Sequence, residues 1–97
     1  MYFVAATMYG AGSYFATKSS YSAGYAPANN QGWRYMIQTR VITGEWCQGT
    51  QQLHAAPYKT AAQTEQYDSV VDDVNNPTIY VVFNDASAYP EYIVKFQ

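Results

Sequence analysis

The stretch WRYMIQTRVIT, residues 33–43, carries the strongest strand pattern of this chain because its side chains alternate in character at a period of two. One face carries the larger apolar residues and a threonine, namely Trp33, Tyr35, Ile37, Thr39 and Val41. The other face carries Arg34, Gln38 and Arg40. Successive side chains of a β-strand point to opposite faces, so the stretch predicts a strand, which Gly44 ends.

Other segments on both sides of this strand also favour β structure. Short strands are predicted at residues 13–17, around residues 69–71, at residues 78–83 and from Tyr92 to Phe96. The segment 78–83 is dense in β-branched and aromatic residues, which is typical of a buried central strand. A brief helical turn is predicted from Ser19, with serine caps, to Gly24. Residues 45–66 show no clean period and predict a long irregular segment.

The composition agrees with a β-rich fold. The chain has 97 residues, of which 18% are aromatic and 11 are tyrosines, a residue that favours strands. Its length suits one domain or part of one. Four to six strands with at most one helical turn predict an antiparallel, β-rich half of an α+β fold.

Charge and cysteine content exclude several classes of function. Five Lys and Arg against seven Asp and Glu give a net charge of -2, so no basic stripe favours nucleic acid. The single cysteine, Cys47, forms no internal disulfide, and with the single histidine, His54, it makes neither a metal site nor a probable nucleophilic pair. No signal peptide or membrane-spanning run is evident, so we expect an intracellular protein of the nucleus or cytoplasm.

Five motifs, in this order, resemble one family. They are YGAGSYFA at residues 9–16, RVITGE at 40–45, YDSVVDD at 67–73, NPTIYVVF at 76–83 and YPEYI at 89–93. The first is similar to the Gly-x-Gly-x-Tyr-Phe-Ala signature of the poly(ADP-ribose) polymerase superfamily, and the others follow that family's pattern. Among its members, the chain most resembles the mono-ADP-ribosyltransferases, including those whose catalytic domain follows macrodomains.

The resemblance implies a fold, a substrate and a domain boundary. It implies the β-rich half of the ADP-ribosyltransferase split-sheet fold, with mostly antiparallel strands and one short helix. It implies NAD as substrate, no metal, and proteins as acceptors of ADP-ribose. The family's His-Gly-Thr segment lies upstream of the tyrosine strand and has no counterpart here. Residues 1–97 are therefore expected to be the C-terminal half of a catalytic domain, with the missing N-terminal half of that domain as a partner.

The resemblance also implies the catalytic positions. Tyr14 matches the tyrosine of the family's His-Tyr-Glu triad, and Ile79 falls on the third position, where polymerising members have glutamate. Gly12 and Ala16 belong to the same NAD-binding motif as Tyr14. Isoleucine has no lone pair with which to bind a sugar hydroxyl, so the resemblance implies transfer of single ADP-ribose groups.

Three further residues are implied at the nicotinamide end of NAD. Ser22 matches the serine that bonds the carboxamide, and Tyr25 matches the tyrosine that stacks on the ring, with Tyr21 as the alternative because the spacing differs from that of close relatives. An aromatic ring suits a flat pyridinium cation. We expect Tyr14, Ser22 and Tyr25 to lie in one cleft, with Ile79 facing them from a neighbouring strand.

Two readings of the chain remain open at this point. It is part of an ADP-ribosyltransferase, or it is a catalytically inactive remnant that acts by binding through exposed aromatic residues or a free sheet edge. Asp72 and Asp73 are interpreted as turn-capping carboxylates in preference to an acid and base pair.

Overall fold

The computed structural model describes residues 1–4, 12–50, 53–84 and 87–97 of the chain. In these ranges it contains one short helix, α1 (Ser19–Ala23), and seven strands. The strands are β1 (Tyr2–Val4), β2 (Ser13–Ala16), β3 (Arg34–Val41), β4 (Trp46–Gln48), β5 (Ser69–Val71), β6 (Ile79–Val82) and β7 (Ala88–Phe96).

The strands form one sheet in the order β4-β5-β6-β2-β1-β3-β7. Every neighbouring pair is antiparallel except β4 and β5, which run parallel. The predicted fold class, a mostly antiparallel β-rich structure with one short helix, is confirmed. The strand predicted at residues 78–83 is central as expected, since β6 lies between β5 and β2.

The core lies where β2, β5 and β6 meet. Residues directly opposite each other in an antiparallel pair point to the same face, and β2 and β6 pair Tyr14 with Val81 and Ala16 with Ile79. These four residues share a buried cluster with Val4 of β1 and Val70 of β5. All three central strands are rich in apolar residues, so burial on this face stabilises them strongly.

The β3–β7 end of the sheet is much less buried. In β3 only Met36 and Thr39 are buried, while Tyr35 is 47% exposed. The pairing with β7 shifts register between Gln38 and Thr39, so burial in β3 does not follow the predicted alternation. In β7, which pairs with β3 alone, Ile93 is 74% exposed and Tyr92 is 65% exposed. The chain is accordingly elongated, with extents of 53 × 23 × 22 Å. This end of the sheet lacks a covering layer in the described part of the chain.

The structure corrects the sequence-based expectations in two elements. The segment 45–66, expected to be irregular, begins with the three-residue strand β4, which forms by pairing with the distant β5. The opening residues form β1, for which no strand was predicted. Each of these strands is three residues long and is defined by its pairing with other strands.

The predicted serine caps of the helix are also wrong. The N-cap of α1 is Lys18, and no side chain bonds a free amide there. Of the predicted Gly10-Ala11-Gly12 turn, residues 10 and 11 lie outside the described residues.

Gly12 illustrates how closely β2 approaches β6. A Cβ atom at this position would lie 2.6 Å from the carbonyl oxygen of Val82 and 2.7 Å from a methyl group of Val81. A backbone carbonyl within a sheet cannot move aside without breaking its hydrogen bonds. Gly12 is thus required by packing, independently of any role in NAD binding.

We expect Gly12→Ala to destabilise the protein by about 1–3 kcal/mol, because the added methyl group overpacks the β2–β6 junction. Urea denaturation measures this change. Gly24→Ala is the matched control, because Gly24 has φ -65° and its nearest neighbouring atom would be 3.4 Å from the new Cβ. Its effect should be neutral or slightly stabilising. Equal losses in the two variants would contradict the packing argument.

Candidate functional site

The two predicted catalytic residues lie on one face of the sheet. Tyr14 on β2 is 1% exposed and Ile79 on the neighbouring β6 is 3% exposed. Ile79 lies opposite Ala16, two residues along β2 from Tyr14, so all three side chains point to the same side. Ile79 therefore faces the Tyr14 side of the sheet, and both side chains are part of the buried cluster.

Helix α1 follows β2 closely and brings Ser22 into the site. Ser22 is 2% exposed, and its Oγ donates a hydrogen bond to the carbonyl oxygen of Phe3 at 2.6 Å. A hydroxyl has one donor and two acceptor lone pairs, so this bond uses the donor and leaves acceptor capacity. Ser22 can accept an N–H of a carboxamide while it stays bonded to Phe3.

The two tyrosines considered for ring stacking lie side by side. The rings of Tyr21 and Tyr25 have centroids 5.4 Å apart at an interplanar angle of 33°, and their hydroxyl oxygens are 3.2 Å apart, within hydrogen-bond distance. Tyr21 is partly buried against the cluster that contains Tyr14, whereas Tyr25 is 40% exposed. Tyr25 thus has the ring face that is more available to a ligand, and Tyr21 connects it to the Tyr14 cluster.

A pocket of about 240 Å³ opens between α1, β1 and β3. Its walls are mainly apolar or aromatic, and its lining residues are Phe3, Ser22, Tyr25, Ala26, Pro27, Tyr35, Met36 and Ile37. Pockets for whole drug-sized ligands measure about 300–1,000 Å³, so this one suits a single ring of a larger molecule. An apolar pocket with one serine hydroxyl matches a flat ring that carries one polar substituent.

The structure thus divides the predicted site into two adjacent groups. Ser22 and Tyr25 line the pocket, while Tyr14 and Ile79, within the described residues, do not line it and lie in the buried cluster. Tyr21 contacts both groups. The roles of these residues in NAD binding stay predictions. The apolar wall that Phe3, Tyr35 and Met36 contribute is not evident from the sequence, since it depends on pairing between strands that are distant along the chain.

The turn before β6 is held by Asp72, as the turn-capping interpretation predicts. Its Oδ1 accepts the backbone N–H groups of Thr78 at 3.0 Å and Ile79 at 3.1 Å, and its Oδ2 accepts the Thr78 hydroxyl at 2.6 Å. Partial burial works to raise the pKa of the Asp72 carboxyl, but these hydrogen bonds outweigh it and the pKa is lowered. Asp72 therefore fixes the start of the strand that carries Ile79.

Cys47 and His54 do not resemble a catalytic pair. Burial raises the pKa of the Cys47 thiol, which disfavours the reactive thiolate. His54 is exposed in an irregular segment.

No helix in the described ranges is long and apolar enough to cross a membrane.

Comparison with known proteins shows the class to which this fold and site belong. Residues 3–73 match the poly(ADP-ribose) polymerase catalytic domain. The crystal structure of the PARP domain of Arabidopsis RADICAL-INDUCED CELL DEATH1 superposes with a TM-score of 0.74 at 28% identity, covering 98% of this chain and 54% of that chain. The chain belongs to the poly(ADP-ribose) polymerase catalytic domain family, as its motifs predicted.

Two curated relatives differ in what their names state. The protein mono-ADP-ribosyltransferase PARP10 of Mus musculus is 38% identical over 90 residues, which are 91% of this chain and 9% of that protein. A relative in Arabidopsis thaliana, named probable inactive poly(ADP-ribose) polymerase SRO1, is 33% identical over 98 residues, covering 98% of this chain and 16% of that protein. The chain thus spans a small fraction of these relatives' length.

We expect Asp72→Asn to lower the free energy of unfolding at neutral pH by about 1–2 kcal/mol, because an amide replaces a carboxylate that accepts three hydrogen bonds. A carboxyl whose pKa is lower in the folded state stabilises the fold above its unfolded-state pKa, and this contribution disappears as pH falls through the folded-state value. The difference between wild type and variant should therefore shrink below the ordinary pKa of 3.8.

Urea denaturation at pH 7 and at pH 3 measures this pH dependence. Asp73→Asn is the control, since Asp73 accepts a single backbone N–H, that of Asn75 at 2.9 Å. A difference between wild type and Asp72→Asn that is the same at both pH values would show that the charge of Asp72 does not matter.

Proposed function

We propose that this chain forms the nicotinamide-binding part of an enzyme that transfers a single ADP-ribose from NAD to a protein side chain. Family membership supports ADP-ribosyltransferase activity with NAD as substrate. The observation that carries the restriction to single transfers is the position of Ile79. It lies on the strand next to Tyr14 and on the same face. The family resemblance assigns to it the position at which polymerising members have a glutamate.

In this proposal, the pocket at α1 receives the nicotinamide ring. Tyr25 stacks on the ring through the face that it exposes, and Ser22 accepts an N–H of the carboxamide. The size of the pocket supports this assignment, because it accommodates one ring and leaves the rest of the dinucleotide outside. Tyr14 lies in the adjacent buried cluster, against which Tyr21 packs, and the family resemblance assigns it to the ribose end of the ligand.

In the proposed reaction, an acceptor carboxylate replaces nicotinamide on the ribose carbon. The bond between the nicotinamide nitrogen and the ribose carbon breaks, its electron pair leaves with nicotinamide, and the carbon acquires oxocarbenium character. An acceptor carboxylate then forms the new C–O bond with its own lone pair. This reaction depends mainly on positioning and on stabilising charge. Ile79 supplies no base, so the acceptor must be a nucleophile in its own right.

A second candidate function is binding without catalysis. One relative of similar identity is named probable inactive, and the exposed Tyr92 and Ile93 of the edge strand β7 offer a surface for a partner. Release of nicotinamide from NAD by the full-length protein separates the two candidates, because the binding function predicts none.

We expect the full-length protein to attach single ADP-ribose groups and not to extend them. Elongation requires a hydroxyl of the attached ADP-ribose to attack the next NAD, and a positioned base typically contributes about a hundredfold or more to such a step. Ile79 cannot act as that base. A denaturing gel of the protein incubated with labelled NAD should show discrete bands. A long smear of polymer chains would exclude the proposed restriction.

We expect the isolated 97-residue chain to be inactive. It covers 54% of the solved PARP domain that it matches, so many of the contacts that hold NAD in such a domain are absent. Each neutral hydrogen bond contributes about 1 kcal/mol, and the loss of several weakens NAD binding severely. Nicotinamide release by the purified chain, with the full-length protein as positive control, is the measurement. Turnover by the chain alone would contradict the expectation.

A further inference from the structure

Arg34, the first residue of β3, reaches back across the loop to the end of α1. Its Nε donates to the carbonyl oxygen of Ala26 at 2.9 Å, and its Nη2 donates to the carbonyl oxygen of Ala23. These two carbonyls lie on either side of Tyr25 in the chain. The guanidinium therefore spans the turn that presents the Tyr25 ring to the pocket.

Arg34 adds long-range support to a turn that is otherwise closed by local backbone hydrogen bonds. Tyr25 N–H donates to the Ser22 carbonyl at 3.0 Å, and Ala26 N–H donates to the Ala23 carbonyl at 3.2 Å. The helix has five residues, far fewer than an isolated helix needs for stability in water. Its last turn has no basic residue of its own, although a cation near the C-terminal carbonyls is favourable. Arg34 supplies that cation from a distant strand.

Hydrogen bonds of Asn29 close the loop between Tyr25 and Arg34. The Asn29 side-chain Oδ1 accepts the backbone N–H groups of Gln31 at 2.9 Å and Trp33 at 3.0 Å. The Asn29 N–H also donates to the Trp33 carbonyl at 2.8 Å. These bonds close the loop and bring residue 34 beside the end of α1.

The opposite side of the guanidinium is fixed by β7. The central carbon of the Arg34 guanidinium lies 4.8 Å from the centre of the Phe96 ring, and the two residues are paired in the β3–β7 register. A planar guanidinium can stack on a ring and donate from two nitrogens at once, which an ammonium group cannot. Arg34 is therefore held between the sheet on one side and the Tyr25 turn on the other.

We propose that Arg34 is a positioning residue for the nicotinamide end of NAD. It acts through the carbonyls of Ala23 and Ala26, which set the position of the Tyr25 ring, and it is absent from the residues that line the pocket. The proposal rests on the proposed function of this pocket. In this proposal, the position of the Tyr25 ring depends on an arginine nine residues further along the chain.

The test compares Arg34→Ala with Arg40→Ala in the full-length protein. Arg40 lies on the same strand, but its side chain is 72% exposed and, within the described ranges, it pairs with Glu91 alone, at the surface. For Arg34→Ala we expect KM for NAD and the inhibition constant of nicotinamide to rise about tenfold, the scale of one lost aromatic contact. The affinity for ADP-ribose, which lacks nicotinamide, should stay unchanged. Arg40→Ala should behave as wild type in all three measurements.

Two further variants separate positioning from general loss of stability. If Arg34 acts through Tyr25, the double variant Arg34→Ala with Tyr25→Ala should bind nicotinamide no more weakly than Tyr25→Ala alone. Arg34→Lys keeps the charge but loses the planar group that donates from two nitrogens at once, so it should resemble Arg34→Ala. Additive losses, full recovery by lysine, or an equal loss of ADP-ribose affinity would each overturn the proposal.

Amide hydrogen exchange distinguishes failure of this inference from failure of the proposed function. Arg34→Ala should speed the exchange of the Tyr25 and Ala26 amides, whose hydrogen bonds define the turn, whereas Arg40→Ala should not. A wild-type protein that neither binds nicotinamide nor turns over NAD would refute the proposed function and with it the role in ligand binding. Unchanged exchange in Arg34→Ala would refute the support of the Tyr25 turn, whatever the activity.

Discussion

The pairing of β2 with β6 organises the core of the sheet. It sets Ala16 opposite Ile79 and Tyr14 opposite Val81, and these side chains form the centre of the buried cluster. The close approach at Gly12 leaves no space for a side chain between the strands. Because one register fixes both the core and the relative positions of Tyr14 and Ile79, a slip by one residue would turn these side chains to the other face.

The pocket depends on a second, weaker set of contacts. Helix α1 is short, and its place beside the sheet is secured by the Ser22 bond to Phe3 and by the Arg34 bonds to its last turn. The exposed end formed by β3 and β7 thus contributes to the site through Arg34 and Phe96, even though it adds little to the core. The buried centre and the turn that carries Tyr25 thus depend on different sets of contacts.

Sequence patterns predicted the elements whose own residues determine them. The segment at 78–83 became the central β6 because its β-branched residues suit burial on both sides, and the capping role of Asp72 follows from short-range turn chemistry. The strands β1 and β4 were not predicted, because only their pairing with other strands defines them, β1 with β2 and β3, and β4 with β5. The contribution of Arg34 was not predictable either, because it depends on carbonyls 8 and 11 residues away.

The proposed function requires nicotinamide to occupy the pocket beside α1, with Ile79 in place of a carboxylate near the ribose. A crystal structure of the full-length protein with bound NAD, or with an analogue that cannot be cleaved, is the decisive experiment. The nicotinamide ring should stack on Tyr25, or on the adjacent Tyr21, with its carboxamide within hydrogen-bond distance of the Ser22 hydroxyl. A nicotinamide ring bound away from both tyrosines and from Ser22 would contradict it.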